Sequence, residues 1–244
     1  MRNLRLDICY DGTRYRGWQR LPGQDNTIQG KLEQTLSRIL GETIEVSGSG
    51  RTDAGVHASG QVASFHCENT MPTEEILSQL RRYLPEDIGI YSCKEAAPRF
   101  HARLNARKKT YCYRIWNSYD PCVFQRRYVA VFPEKLDVDL MNQAGQQLLG
   151  EHDFAAFCAR AKMKKSTIRT VFDLSCIRKE NEILITVTAD GFLYNMMRII
   201  AGTLIEVGKG ERDASGISML FGEKRCSAGF LAPPQGLCLM EVKY

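Results

Sequence analysis

Apolar and polar positions along the chain alternate between two periods, and the changes of period predict its elements. Residues 2 to 10 alternate as a half-buried strand does. Asn26 or Thr27 then opens a helix that places Ile28, Leu32, Leu36 and Ile39 on one face and stops at Gly41. Residues 42 to 47 and 60 to 66 read as strands around a glycine-rich loop. Thr73, followed by Glu74 and Glu75, starts a helix burying Ile76, Leu77, Leu80 and Leu84, and residues 88 to 95 supply another strand. From about residue 107 the order recurs: strand 109 to 116, helix 138 to 149, strands 168 to 179 and 182 to 189, helix 194 to 207, a shorter helix near 213 to 221, and a last strand at 237 to 243.

A β-α-β-β-α-β order found twice predicts two ferredoxin-like halves, residues 1–106 and 107–244, repeated in element order but not in residue identity. The expected fold class is α+β, with a mixed, largely antiparallel sheet. Helices cover one face and leave the other free for a large ligand. RNA-binding modules use such a face, although the fold alone does not select a function.

Composition narrows the picture modestly. The 244 residues are 43% hydrophobic, and 33 Lys and Arg against 28 Asp and Glu leave a net charge of +5, a mild bias towards an anionic partner. Nine cysteines, none in a CxxC pair, point to reduced thiols rather than to a disulfide framework or a zinc knuckle. The N-terminus lacks the apolar run of a signal peptide, and Asp190 and Arg198 interrupt the apolar C-terminal region. A cytoplasmic protein with no membrane segment is expected.

The densest chemistry lies in GSGRTDAGVHASGQ, residues 48 to 61. Gly48, Gly50, Gly55 and Gly60 let the backbone turn sharply and approach a ligand closely. A dinucleotide loop is excluded because Asp53 stands where the third glycine belongs and no phosphate-binding helix follows; a Walker sequence is absent. What remains is a loop holding Arg51, Thr52, Asp53 and His57 between two strands. Taken alone it fits turn chemistry, with Asp53 capping backbone amides and His57 as a local hydrogen-bond partner, better than it fits catalysis, because Asp and Gly are the default turn residues.

The segment GRTDAGVHASGQVASF closely resembles the signature of the TruA-type tRNA pseudouridine synthases. Four further blocks agree in order: YDGTRYRGWQ at 10 to 19, RFHARLNARKKTYCYRI at 99 to 115, GFLYNMMRIIAGTLIEVGKG at 191 to 210 and APPQGLCLMEVKY at 232 to 244. The resemblance implies the pseudouridine synthase fold with a central RNA-binding cleft, and an isomerase acting on uridine in the anticodon stem-loop of tRNA at positions 38, 39 and 40. It implies Asp53 as the nucleophile, Arg198 as the arginine paired with it, Tyr111 as the ring stacked on the target uracil, and Arg51 as an aid to extruding the nucleotide. It also implies a homodimer, with no metal or redox cofactor. A carboxylate suits the task because an intermediate must be held while the uracil detaches and turns. An unperturbed aspartate, pKa about 3.9, is already ionised at neutrality. A guanidinium is therefore needed less to ionise it than to keep it charged and oriented once RNA excludes water.

Residues 97 to 116 carry Arg99, Arg103, Arg107, Lys108, Lys109 and Arg114 without an acid, interleaved with Phe100, His101, Tyr111, Tyr113 and Trp116. This reads as a phosphate-and-stacking surface for tRNA. Arg14, Arg16, Gln19 and Arg20 form a further candidate patch, where Trp18 either joins them or closes the domain. Arg160, Lys162, Lys164, Lys165 and Arg169 form another basic stretch, equally compatible with a solvated loop. A non-catalytic RNA-binding protein of two such modules accounts for the basic and aromatic segments but not for GRTDAGVH, and a related synthase with another RNA target accounts for all of them.

Overall fold

The computed structural model describes residues 1–21, 23, 26–160 and 166–244. Among them are ten strands and four α-helices: β1 (Arg2–Tyr10), α1 (Ile28–Leu40), β2 (Val46–Gly48), β3 (His57–Cys67), α2 (Thr73–Tyr83), β4 (Ile88–Glu95), β5 (Lys108–Trp116), β6 (Ala130–Val131), α3 (Val138–Gln146), β7 (Gly150–Asp153), β8 (Ile168–Lys179), β9 (Glu182–Ala189), α4 (Met196–Gly208) and β10 (Leu237–Lys243). Two compact units result, Met1–Arg107 with Leu239–Tyr244, and Lys108–Cys238. Lys162, Lys164 and Lys165 of the second basic stretch lie outside the described residues.

In the first unit the strand order β4-β1-β3-β2 is antiparallel throughout. Leu4, Leu6 and Ile8, alternating along β1, are buried with Ile28, Leu32 and Leu36 of α1 and Ile76 and Leu80 of α2. The Thr27 hydroxyl accepts from the Gly30 N–H to start α1, and Gly41, at φ 72°, ends it. The strand expected over 42 to 47 contracts to Val46–Gly48. Side chains of α1 claim the amides before and at its start: Ile44 donates to Ser37 Oγ and Val46 to Glu33 Oε1.

The free sheet face expected from element order is not bare in this unit. Asn3, Arg5 and Ser64 all lie on the side of the sheet away from the helices, and each holds something down. Asn3 Nδ2 donates to the carbonyls of Ala97 and Phe100, and Ser64 Oγ accepts from the Ala102 N–H. The Arg5 guanidinium sits 5.9 Å from the Phe100 ring and 4.9 Å from the Tyr244 ring. The segment after β4 and the C-terminal tyrosine thus cover that face: Asn3 and Ser64 find partners in the segment's backbone, and Arg5, already paired with Asp7 at 2.8 Å, lies against the two rings.

The second unit has the antiparallel order β5-β9-β8-β7, with β6 parallel to β5. Tyr111, Tyr113 and Ile115 point to the buried side with Ile183, Ile185 and Val187. The opposite side, with Thr110, Cys112, Arg114, Thr186 and Thr188, is half-exposed, and there the open face survives. Helix α3 ends at Gln146, short of residue 149, because the Gln147 and Leu148 amides turn back to Ala144 and Gly145 in i→i+3 bonds. Strands β6 and β7, two and four residues long, carry too few positions to register as a period in sequence. Among the described residues no helix is long and apolar enough to cross a membrane.

Helix α4 is buried almost all round, from Met196 to Gly208. Its backbone meets the Gly229–Phe230 segment directly: a Cβ on Gly202 would lie 2.0 Å from the Phe230 carbonyl oxygen. Gly202→Ala is expected to destabilise the protein by about 3 kcal/mol, the upper part of the overpacking range. Gly216→Ala, where a Cβ meets nothing within 4 Å, is the matched control. Urea midpoints of the two variants check this, and equal midpoints would refute the contact.

Candidate active site

In the first unit the loop between β2 and β3 is built against the YDGTRYRGWQ segment. The Trp18 N–H donates to the Thr52 carbonyl at 3.0 Å, the Gly55 N–H to the Tyr15 carbonyl at 3.3 Å, and the Gly12 N–H to His57 Nδ1 at 3.0 Å. These bonds require the two backbones to touch. A Cβ on Gly12 would stand 2.0 Å from the Val56 carbonyl oxygen, and one on Gly17, at φ +93°, 2.6 Å from that of Thr52. Trp18 is buried with its indole over Gly48, so it closes the domain rather than joining a surface patch.

Buried polar groups fix the loop from beneath. The Tyr10 and Thr52 hydroxyls share a hydrogen bond of 2.8 Å. Gln61, fully buried on β3, accepts from Ser49 Oγ at 2.6 Å and donates to the Gly50 carbonyl at 3.0 Å. Within this frame the Val56 N–H closes a turn on the Asp53 carbonyl at 3.1 Å, and Gly55 takes φ 77°. Asp53 is half-buried and Arg51 exposed. His57 is buried, with Asp11 Oδ1 3.2 Å from its Nδ1, which makes it the local partner its lone position in the sequence implies.

Arg14 donates to Asp87 Oδ2 at 2.6 Å, so its charge is matched by a neighbour, whereas the Arg16 side chain is exposed. Asp87 also accepts from the Tyr15 hydroxyl at 2.5 Å. Burial, then that bond, raises the Tyr15 phenol above its ordinary pKa and keeps the proton on the donor.

In the second unit Tyr111 is buried on β5, and the Phe192 ring meets it edge-on with centroids 4.8 Å apart. Arg198 stands half-buried in the first turn of α4, after Asn195, which has a left-handed φ of 61°. Arg198 Nε donates to the Ala232 carbonyl at 2.7 Å, and the Arg198 carbonyl accepts from the Ala232 N–H at 3.2 Å. The adjacent Pro233 carbonyl accepts from the Tyr113 hydroxyl at 2.9 Å. Burial raises the Tyr113 phenol pKa, against a smaller lowering by Arg198, so it stays a donor.

The basic run behaves as several groups. Arg99, Arg103 and Arg107 are exposed, on the segment that covers the first unit's sheet. His101 and Asn105 shape its turn: the His101 N–H donates to Asn105 Oδ1 at 2.7 Å, and His101 Nδ1 accepts from the Arg103 N–H at 3.1 Å. Phe100 packs on Tyr244, and Arg114 pairs with Glu182 at 2.8 Å, which removes both from a stacking or phosphate surface. Lys108 lies over the Phe172 ring at 4.2 Å, while Lys109, one position on, points to the Tyr111 side. The frame residues Gly12, Gly17, Tyr10 and Gln61 carried no candidate role in the sequence. The two glycines inside YDGTRYRGWQ were the one visible sign of close packing. No group of three or more His, Cys, Asp or Glu side chains among the described residues is arranged to hold a metal ion.

Comparison with known proteins gives one consistent result. The sequence model of the tRNA pseudouridine synthase family matches residues 8–105 and 144–244, a span that includes Arg51, Asp53 and Arg198 and leaves out Tyr111. Over 245 residues, covering all of both chains, the sequence is 44% identical to tRNA pseudouridine synthase A 2 of Bacillus cereus strain ZK / E33L. It is 45% identical to tRNA pseudouridine synthase A of Bacillus sp. strain KSM-64, again over the full length of both. The same name and coverage recur at 44% identity in Caldicellulosiruptor bescii.

The frame around the loop makes a prediction independent of any activity. Gly17→Ala forces a side chain into positive φ and onto the Thr52 carbonyl, at an expected cost of about 2 kcal/mol or more. Hydrogen exchange at the Gly55 and Val56 amides should quicken selectively. Unchanged protection there would contradict the bracing role of residues 12 to 18.

Proposed function

We propose that this chain, which belongs to the tRNA pseudouridine synthase family, isomerises uridine on the 3′ side of the anticodon stem-loop, at positions 38 to 40, with Asp53 as the nucleophile. The enzyme is an isomerase, and its reaction balances within one nucleotide. The N-glycosidic bond to uracil N1 breaks, the uracil turns, C5 joins the sugar carbon, and the C5 proton moves to N1 or solvent with no change of oxidation state. One observation supports Asp53 above the other acids: it is half-buried on a loop whose backbone is hydrogen-bonded to residues 15 and 18 on one side and to Gln61 on the other. A nucleophile held within a few tenths of an ångström needs such a frame, and an ordinary surface turn does not.

In this reading Arg198 keeps the carboxylate charged when the base displaces water, and its own attachment to the Ala232 carbonyl fixes the direction of the guanidinium. Tyr111 stacks on the uracil, with the Phe192 ring, set at 76° to it, fixing its ring plane. Arg51, exposed two residues before Asp53, engages the backbone of the extruded nucleotide. The family resemblance adds a homodimer, in which exposed Arg99, Arg103 and Arg107 give one subunit a phosphate-binding surface for RNA held by the other.

Pseudouridine mapping on tRNA lacking the modification tests this. Asp53→Asn should abolish product while tRNA binding persists, since the change removes charge with little change of volume. Arg198→Met should lower turnover by roughly 10²- to 10³-fold, the range for losing one charge-stabilising donor. Product formed by Asp53→Asn would overturn the nucleophile assignment, and a wild-type protein that binds tRNA but never modifies it would favour a binding module.

A further inference from the structure

One end of the second unit's sheet collects groups that the reaction as described leaves unused. Lys109 of β5, Ala189 of β9 and Val171 of β8 stand side by side in register there. By strand alternation Lys109 shares its side of the sheet with Tyr111, and Arg169 shares that of Val171. From this end residues 190–195 leave β9 and lead into α4, with Phe192 meeting Tyr111 and Tyr194 two residues further on.

Tyr194 is 47% exposed, high for a large ring so near a buried site. Its carbonyl accepts from the Ala159 N–H at 3.1 Å, and the next residue, Arg160, lays its guanidinium 5.2 Å from the Tyr194 ring centroid. Arg169 reaches the same loop from β8, its Nε 3.4 Å from where a Cβ on Gly191 would stand. The loop's acid, Asp190, accepts from the Thr170 N–H at 3.1 Å and so is turned towards the β8 backbone. A half-exposed aromatic ring, one guanidinium lying on it and a second beside its loop form a combination that binds a nucleotide: a base stacks on the ring and its phosphate meets the cations.

We propose that Tyr194, Arg160 and Arg169 receive the nucleotide flanking the target uridine, its base stacked on Tyr194 and its phosphate held by the two arginines. This rests on the reading that Tyr111 holds the target base. Because a ring reads only the π-face, the subsite accepts any base, and its contribution is to hold the strand open beside the extruded nucleotide.

The experiment pairs protein variants with altered RNA. Stacking one base is typically worth about 5- to 150-fold in affinity, so Tyr194→Ala should raise KM and Kd for tRNA by roughly ten-fold, with a smaller change in kcat. Tyr194→Phe, which keeps the ring, should restore both. An abasic residue beside the target uridine should weaken wild-type binding by a similar factor and add little to Tyr194→Ala, since the same contact is then lost from either side. Arg160→Gln should lower the slope of log K against log salt concentration by about one. If Tyr194→Ala and the abasic substitution act additively, or Tyr194→Ala lowers only the melting temperature, the pair is a structural latch and the proposal fails. The binding arm is read from Kd without turnover, so absence of pseudouridine formation by the wild type would sink the nucleophile assignment and leave this test intact.

Discussion

The closest constraint in the first unit is backbone against backbone. Residues 12 to 18 and 52 to 56 approach so nearly that a single methyl group at Gly12 or Gly17 would overlap a carbonyl oxygen. Everything about Asp53 depends on that approach. Without it the Trp18 and Gly55 amides would lose their partners, and a stretch rich in glycine would sample many conformations. Tyr10 and Gln61 then work from the core side, so that the loop is tied to buried polar groups as well as to its neighbour. Removing any one partner would leave a buried donor or acceptor unsatisfied, at about 1 to 3 kcal/mol, which makes the frame cooperative.

The second unit solves a similar problem with a covalently continuous strap. Ala232 is bonded in both directions to Arg198, and Pro233, the next residue, accepts from Tyr113. A shift of the strap therefore moves the arginine and disturbs the strand that carries Tyr111, two positions from Tyr113. The strap lies close to α4 only because Gly202 and Gly229 leave room, while the Thr203 hydroxyl accepts from the Gly229 N–H at 3.0 Å. The GFLYNMMRIIAG and APPQG blocks are in this sense one structural device. Their side-chain chemistry is placed by their small residues.

Much of the fold was legible because long elements repeat a period many times. The strands Ile168–Lys179, Glu182–Ala189 and Leu237–Lys243 coincide with the spans expected from alternation, and Thr27, the αL Gly41 and Thr73 mark helix ends as expected. Failures came where side chains took over backbone hydrogen bonding, as when Ser37 and Glu33 captured the amides of Ile44 and Val46. The covering of the first unit's sheet by residues 97 to 102 was illegible for a related reason. Asn3, Arg5 and Ser64 look like solvent positions in an alternating strand, and nothing local says that a segment 94 residues from Asn3 and 38 from Ser64 will claim both. The role expected of Asp53 came from resemblance rather than from local chemistry, since a turn and a nucleophile draw on the same residues. The hydrogen bonds that brace its loop, Tyr10 with Thr52 and Gln61 with Ser49, are nonlocal and left no mark on the local sequence.

Charge shows the same limit from another side. The run from Arg99 to Arg114 has no acid within it, yet Glu182 neutralises its last member and Lys108 faces the ring of Phe172, away from Tyr111. Arg14 and Arg16 stand two residues apart, and Asp87 matches only the first. A sequence counts cations, whereas a polyanion meets those whose charge is not already spent, on the side where the chemistry takes place. At the second unit's sheet end Arg160 lies on exposed Tyr194 and Arg169 beside Gly191 of the same loop, with Asp190 turned to the β8 backbone. A net charge of +5 says little by itself. The partner of each cation decides whether it draws RNA towards the site or merely holds the protein together.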